Sequence, residues 1–319
     1  MRIYVASTLI TLFACASQPP AAPAEPPAAA RPPRRPGAGP GGGSPGQREL
    51  EEAIAFAKAD NLDGAIERCQ AATGKNPQLE QAYLLWGSSC ALKEDAACER
   101  GAYAAGLRAL PKSAALHKEQ GFLELREGHY DAAVQAYESA QKLAPAVEPE
   151  TLADLAYAYA LARRPDDANR VADQAVAADA RCFHCAMMQG EVRLMKQNGP
   201  GAIESFQAAA QLDPKSTDAQ VNLAKSYFLA GRYADARPIY EQLVAADPDN
   251  ARFRVQAAQV AMAEKQYAPA IAHLSKVAEA NPDESRLLEM LLEAQEKGGD
   301  KKGAAETKKR LQALKGKKR

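Results

Sequence analysis

The sequence repeats itself with a period of 34 residues from Gly46 almost to its C-terminus. The pattern is clearest over 217–250, where apolar residues mark one helical face, a glycine marks a turn and a second helical face precedes a proline. With Glu148 skipped once, the frame gives eight units: 46–79, 80–113, 114–147, 149–182, 183–216, 217–250, 251–284 and 285–318. A helix-turn-helix unit of this length cannot bury its apolar face alone, so we expect the units to stack into an all-α solenoid.

Three positions of the 34-residue frame carry this pattern. The eighth holds a small residue in seven units, the twentieth holds alanine in all units but one, and six units close with proline. The eighth-position residues are Ala53, Gly87, Gly121, Ala156, Gly190, Ala224, Ala258 and Leu292, and the closing prolines are Pro77, Pro111, Pro145, Pro214, Pro248 and Pro282. The small residue lets two helices approach closely, and the residue before proline is forced out of the helical region, which ends each second helix.

These residues resemble the tetratricopeptide repeat family, which has the same period and the same small, aromatic and proline positions. The resemblance covers all eight units and implies a right-handed superhelix of antiparallel helix pairs. It also implies that the first helix of each pair lines a concave groove, in which such proteins bind their partners.

The first residues predict export. Arg2 precedes an apolar stretch that ends at Ala14, shorter than the ~20 residues of a membrane span, and residues 1–16 are typical of a signal peptide. Residues 12–15 resemble a bacterial lipobox, which implies a lipid on Cys15 and an anchor in the outer membrane; plain cleavage after Ala16 also fits. Residues 17–45 contain ten prolines and are expected to form a disordered linker.

The net charge of zero is unevenly distributed. It is +3 before residue 46, −11 from there to residue 296, and +8 from Lys297 to the end. Because the repeats are acidic, we do not expect a nucleic acid partner. The basic C-terminal end is a solvated terminus or a contact for an anionic surface.

Two cysteine pairs predict disulfides in an exported chain. Cys90 and Cys98 flank the turn of the second unit, where a helical hairpin brings such positions together, and their spacing resembles that of Sel1-like repeats. In this unit Glu94 replaces the turn glycine and Glu99 replaces the core alanine, so the bridge is expected to compensate for weaker packing, stabilising by ~2–4 kcal/mol.

The second pair, Cys182 and Cys185, begins the fifth unit. The pair is one ligand short of a closed zinc site even when His184 is counted, and Ala186 stands where haem attachment requires histidine. A structural disulfide is predicted, with thiol-redox activity of this pair as the alternative. Cys69 occupies a core position and is expected to be a buried free thiol.

The groove positions of the first helices suggest where a partner binds. The candidates are Met187, Met188, Glu191 and Met195 of the fifth unit, Lys225 and Phe228 of the sixth, and Arg252 and Met262 of the seventh. Methionines make an adaptable patch for an amphipathic helix or an extended peptide, although packing between repeats explains several of these residues equally well. The basic clamp that some family members use for C-terminal carboxylates is not reproduced, since Met187 and Glu191 occupy two of its positions.

No pattern in the sequence indicates catalysis. The four histidines fall in different units without a shared spacing, and there is no nucleophile elbow, phosphate loop or metal quartet. We therefore predict a non-enzymatic protein without cofactor or metal, acting as an envelope adaptor that helps to assemble or stabilise a complex. The alternative is a periplasmic module that recognises cell-wall glycan or its synthases.

Overall fold

The computed structural model describes residues 44–317, with side chains up to residue 314. The predicted signal peptide, Cys15 and nearly all of the predicted linker lie outside these residues. Within them there are sixteen helices and no strand. The helices are α1 (Gln47–Lys58), α2 (Leu62–Lys75), α3 (Glu80–Leu92), α4 (Ala96–Ala109), α5 (Ala114–Arg126), α6 (Tyr130–Leu143), α7 (Pro149–Leu161), α8 (Pro165–Ala178), α9 (Phe183–Met195), α10 (Gly199–Leu212), α11 (Thr217–Leu229), α12 (Tyr233–Ala246), α13 (Ala251–Ala263), α14 (Tyr267–Ala280), α15 (Ser285–Gly298) and α16 (Lys301–Lys317).

The chain divides into two compact units, one ending at Arg163 and the other beginning at Arg164. The first contains α1–α7 and the second α8–α16, and inside each unit every helix packs against the next one along the chain. The predicted all-α repeat solenoid is thereby confirmed. Across residues 44–317, every helix is too short or too polar to cross a membrane.

The prolines of the repeat end the second helices as predicted. Each of the six follows directly on the residue that caps such a helix, for example Asn76 before Pro77 and Asp213 before Pro214. Asn76 has φ −144° and ψ 97°, an extended conformation that a residue preceding proline favours.

The turn between the two helices of a unit contains one left-handed residue at the fifteenth position of the frame. All eight units have a positive φ there, with glycine in only three of them. These residues are Asp60, Glu94, Gly128, Arg163, Gln197, Gly231, Lys265 and Gly299. Glu94 therefore adopts the backbone conformation of the glycine that it replaces, with φ 60°, and the second unit keeps the same turn.

In three of the described hairpins an aromatic ring of the second helix lies against a glycine of the first helix. A Cβ atom added to Gly87 would lie 2.2 Å from the ring of Tyr103, and one added to Gly190 would lie 2.6 Å from the ring of Phe206. Both rings are almost fully buried, so they cannot move aside. The eighth position must therefore stay small wherever a ring lies against it.

This contact predicts opposite effects for two glycines of the same repeat. Gly87→Ala should lower the free energy of unfolding by about 1–3 kcal/mol, because its methyl group overlaps the Tyr103 ring. Gly101→Ala, in the open middle of α4, should raise it by about 0.5–1 kcal/mol through helix propensity. Urea unfolding followed by circular dichroism measures both, and a stable Gly87→Ala protein would contradict the close contact.

In the second unit, Glu99 occupies the position that holds alanine in the other units. An arginine of the next repeat neutralises its charge. Glu99 is only 1% exposed and forms an ion pair with Arg126 of α5. Beside it, Glu124 pairs with Arg100 at 2.5 Å and with Nδ1 of His129 at 2.8 Å. A charged network thus replaces the packing of an alanine at this point.

The cysteines of the second unit are within bonding distance of each other. The Sγ atoms of Cys90 and Cys98 are 1.92 Å apart, and the bridge links the end of α3 to the start of α4. The resemblance to Sel1-like repeats stays a prediction. The bridge joins the two helices of the second unit, and the Glu99–Arg126 pair joins this unit to the next; the sequence analysis identified only the bridge.

Removing Arg126 alone should lower the free energy of unfolding more than removing both Glu99 and Arg126. Arg126→Ala leaves the Glu99 carboxylate buried without its partner and should cost about 3–5 kcal/mol of stability. The double variant Glu99→Ala, Arg126→Ala restores the usual alanine and should recover most of that loss. Urea unfolding of the single and the double variant measures their free energies of unfolding. Equal losses in the two variants would show that the ion pair does not contribute to stability.

Candidate partner-binding face

The eight groove candidates lie on α9, α11 and α13, the first helices of three successive repeats in the second unit. Their exposure differs greatly. Met187 is only 8% exposed and packs in the core with Phe206 and Tyr227. It is therefore not available to a partner and has the packing role that the sequence analysis left open.

An apolar row lies at the ends of the first helices. Met195, the last residue of α9, is 43% exposed, and Leu229, the last residue of α11, is 63% exposed. Both occupy the thirteenth position of the frame. Met188 lies about two turns before Met195 on α9 and is half-buried against the core. The sequence analysis missed Leu229, although its equivalence to Met195 in the frame was a usable signal.

A polar centre accompanies this row on α9 and α11. Asn222 Nδ2 donates a hydrogen bond of 3.0 Å to Glu191 Oε1, which joins the two first helices directly. Burial raises the pKa of Glu191, while the exposed Lys225 ammonium and the Asn222 hydrogen bond act in the opposite direction. The arrangement offers a fixed carboxylate and a mobile cation beside exposed apolar side chains.

The remaining candidates do not join one compact site. The ring of Phe228 is half-buried, and its centroid lies 5.4 Å from that of Tyr233. Arg252 is exposed on α13, and Met262 is half-buried against the core of the last repeats. The structure thus groups Met188, Glu191 and Met195 with residues of α11, and we define the binding face as Met188, Glu191, Met195, Asn222, Lys225 and Leu229.

The cysteine pair of the fifth unit lies at the N-terminus of α9. The Sγ atoms of Cys182 and Cys185 are 2.06 Å apart, and Cys182 Sγ also accepts a hydrogen bond of 3.0 Å from the Cys185 N–H. Burial lowers the pKa of His184 to about 4, so this side chain is neutral at pH 7. The pair fixes the first turn of the helix that carries Met188 and Met195.

Cys69 is a free cysteine, and its environment makes the thiol unreactive. Cys69 is fully buried in the first unit, as predicted, and burial raises its pKa to about 12. Since the thiolate is the reactive form, this thiol is protected from oxidation and exchange. Over residues 44–317, histidine, cysteine and acidic side chains form no group of three that could hold a metal ion.

Solved structures similar to this chain are repeat proteins. A tetratricopeptide repeat protein from Parabacteroides merdae is 17% identical with a TM-score of 0.58, covering 78% of this chain and 98% of its own. PilW, titled a widely conserved type IV pilus biogenesis factor, is 15% identical with a TM-score of 0.58, covering 64% and 94%. PilF of Pseudomonas aeruginosa is 13% identical with a TM-score of 0.53, covering 64% and 92%. These likenesses show the fold.

The sequence itself matches three family profiles, each described as tetratricopeptide repeat. They cover residues 120–147, residues 153–217, and residues 194–259 with 227–294. The comparison with proteins of curated function gave no significant match. Because these profiles together span residues 120–147 and 153–294, more than half of the chain, the chain belongs to the tetratricopeptide repeat family.

Proposed function

We propose that this protein is a non-catalytic adaptor of the bacterial cell envelope that binds a segment of a partner protein on the face defined above. The observation that carries the proposal is the exposure of Met195 and Leu229 at equivalent ends of α9 and α11. Large apolar side chains exposed at a repeated position, beside a hydrogen-bonded polar pair, are typical of interaction surfaces.

The chemistry of the face suits an amphipathic helix or an extended peptide. Met188 and Met195 have flexible, polarizable side chains that adapt to different apolar partners. Glu191 is held in place by Asn222, so it can orient a donor of the partner without further loss of side-chain freedom. Lys225 is exposed on the same face and can pair with an acidic residue of the partner.

We infer the cellular location of the adaptor from its sequence. The N-terminal signal, the lipobox-like Cys15 and the proline-rich linker support export and attachment to the outer membrane, with the repeats on the periplasmic side. PilW is a pilus biogenesis factor built on the same fold. We propose a comparable assistance in assembling an envelope complex, without assigning the complex.

The binding face is tested by charge introduced at its exposed apolar residues. Met195→Glu combined with Leu229→Glu should reduce capture of the partner at least about tenfold, because both anchors would be lost. Both residues are exposed, so the protein should remain folded. Crosslinking in the native cell followed by mass spectrometry identifies the partner and measures the loss.

A matched control is Leu212→Glu, at the end of the second helix α10. Leu212 is 37% exposed and takes the same substitution, but it lies outside the binding face. It should leave capture unchanged. Equal capture by the wild type and the Met195→Glu, Leu229→Glu variant would refute the proposed face.

The lipid anchor is tested by radiolabelled palmitate. The wild-type chain should incorporate the label and fractionate with membranes, whereas Cys15→Ala should lose the label, since this cysteine is the acceptor. Cys69→Ala is the control and should keep it. Labelling that persists in Cys15→Ala, or its absence from the wild type, would favour plain cleavage of the signal peptide.

A further inference from the structure

The two disulfides within residues 44–317 share one arrangement. In each pair one cysteine is fully buried, Cys90 in the first unit and Cys185 in the second. The other cysteine is only partly buried and lies at the start of a helix, Cys98 at α4 and Cys182 at α9. Because a thiol in solution can reach only the partly buried sulfur, the surroundings of Cys98 and Cys182 decide how each bridge reacts.

The Sγ atom of Cys182 takes the place of a helix-capping oxygen. Cys182 is the residue that caps α9, and its Sγ accepts a hydrogen bond of 3.0 Å from the Cys185 N–H. The amides at the N-terminus of a helix carry partial positive charge, so they favour a thiolate over a thiol at this position. When the bridge opens, the same N–H can stabilise the Cys182 thiolate, which makes the pair easier to reduce.

The equivalent position of the other bridge has the opposite electrostatics. Asp95 caps α4, and its Oδ1 accepts a hydrogen bond of 2.9 Å from the Cys98 N–H. A carboxylate therefore occupies the amide that would otherwise be available to sulfur, and its negative charge disfavours a thiolate on Cys98. The reduced form of the Cys90–Cys98 pair lacks the stabilisation that the α9 amide gives to Cys182.

The two bridges also differ in what they hold together. Cys182 and Cys185 are three residues apart within the first turn of α9, whereas Cys90 and Cys98 are eight apart and join α3 to α4. The shorter loop restricts the unfolded chain less, so its bridge contributes less to stability. The start of α9 is also held by Ala186 and Met187, which pack in the core. The α9 bridge can therefore open while the helix stays in place.

We propose that Cys182–Cys185 is an exchange-active disulfide that takes two electrons from a dithiol, whereas Cys90–Cys98 is structural. One thiolate of the dithiol attacks Cys182 Sγ, and the bond to Cys185 breaks as Cys185 Sγ leaves with the electron pair and takes up a proton. The second thiol of the dithiol, once deprotonated, attacks the mixed disulfide and releases Cys182 as a thiolate. The dithiol is thereby oxidised to a disulfide and the cysteine pair is reduced.

The first test is a redox titration of the purified full chain. The protein is equilibrated with graded ratios of reduced to oxidised dithiothreitol, quenched with acid and alkylated, and the labelled cysteines are located by peptide mapping with mass spectrometry. Half-reduction of Cys182–Cys185 should need a ratio at least about tenfold lower than half-reduction of Cys90–Cys98. Circular dichroism of the same samples should show an unchanged helical signal while only the α9 bridge is open.

The second test compares single thiols that have similar exposure. Cys185→Ser leaves Cys182 as a partly buried thiol at a helix start, and the matched control Cys90→Ser leaves Cys98 in the same situation. At pH 7, Cys182 should form a mixed disulfide with oxidised glutathione at least about fivefold faster than Cys98. Cys182→Ser leaves only the buried Cys185 and should react most slowly of the three. Intact mass measures the bound glutathione, and thermal melts confirm that each variant is folded.

The proposal is wrong if both bridges are reduced at the same dithiothreitol ratio, or if Cys98 reacts as fast as Cys182. It is also wrong if the helical signal is lost as Cys182–Cys185 opens, since this bridge would then be structural. None of these results bears on the adaptor function, because capture of the partner by the Met195→Glu, Leu229→Glu variant tests that function separately.

Discussion

The structure depends on one contact that recurs in three of its described hairpins: an aromatic ring of the second helix packs against a glycine of the first helix. Tyr103 against Gly87, Tyr137 against Gly121 and Phe206 against Gly190 are the tightest examples. The ring supplies most of the apolar area that a short hairpin can bury, and the small residue lets the backbones come close enough to exclude water. In these three hairpins the contact sets how closely the two helices approach.

The repeat frame also determines which residue ends each first helix. The thirteenth position falls at the C-terminal end, as Met195 does in α9 and Leu229 does in α11. Met195 and Leu229 are exposed for that reason. A tyrosine at the ring position also places a hydroxyl near the sixth-position side chain of the next repeat. Burial raises the pKa of both tyrosines, and the charge of Glu119 adds to the shift of Tyr103 and that of Asp154 to the shift of Tyr137.

The period predicted the fold class, the alanine and proline positions, both cysteine pairs and the buried Cys69, because these depend on spacing along the chain. The period could not show that Met187 is buried while Met188 is partly exposed, since neighbouring residues of a groove-facing helix differ only in which space between helices they enter. Leu229 was missed because a leucine in an amphipathic helix is usually assigned to the core. The pairing of Glu99 with Arg126 gave no signal, because two charged residues far apart in the sequence are recognised as partners only when their three-dimensional neighbours are known.

Two buried acids of the first unit show how the fold supplies the counterions of its own charges. Glu99 is almost completely buried, yet the chain supplies Arg126 for it, and the nearby Glu124 has Arg100 and His129. A buried charge that serves only the fold is normally paired within the fold, because removing it from water is costly.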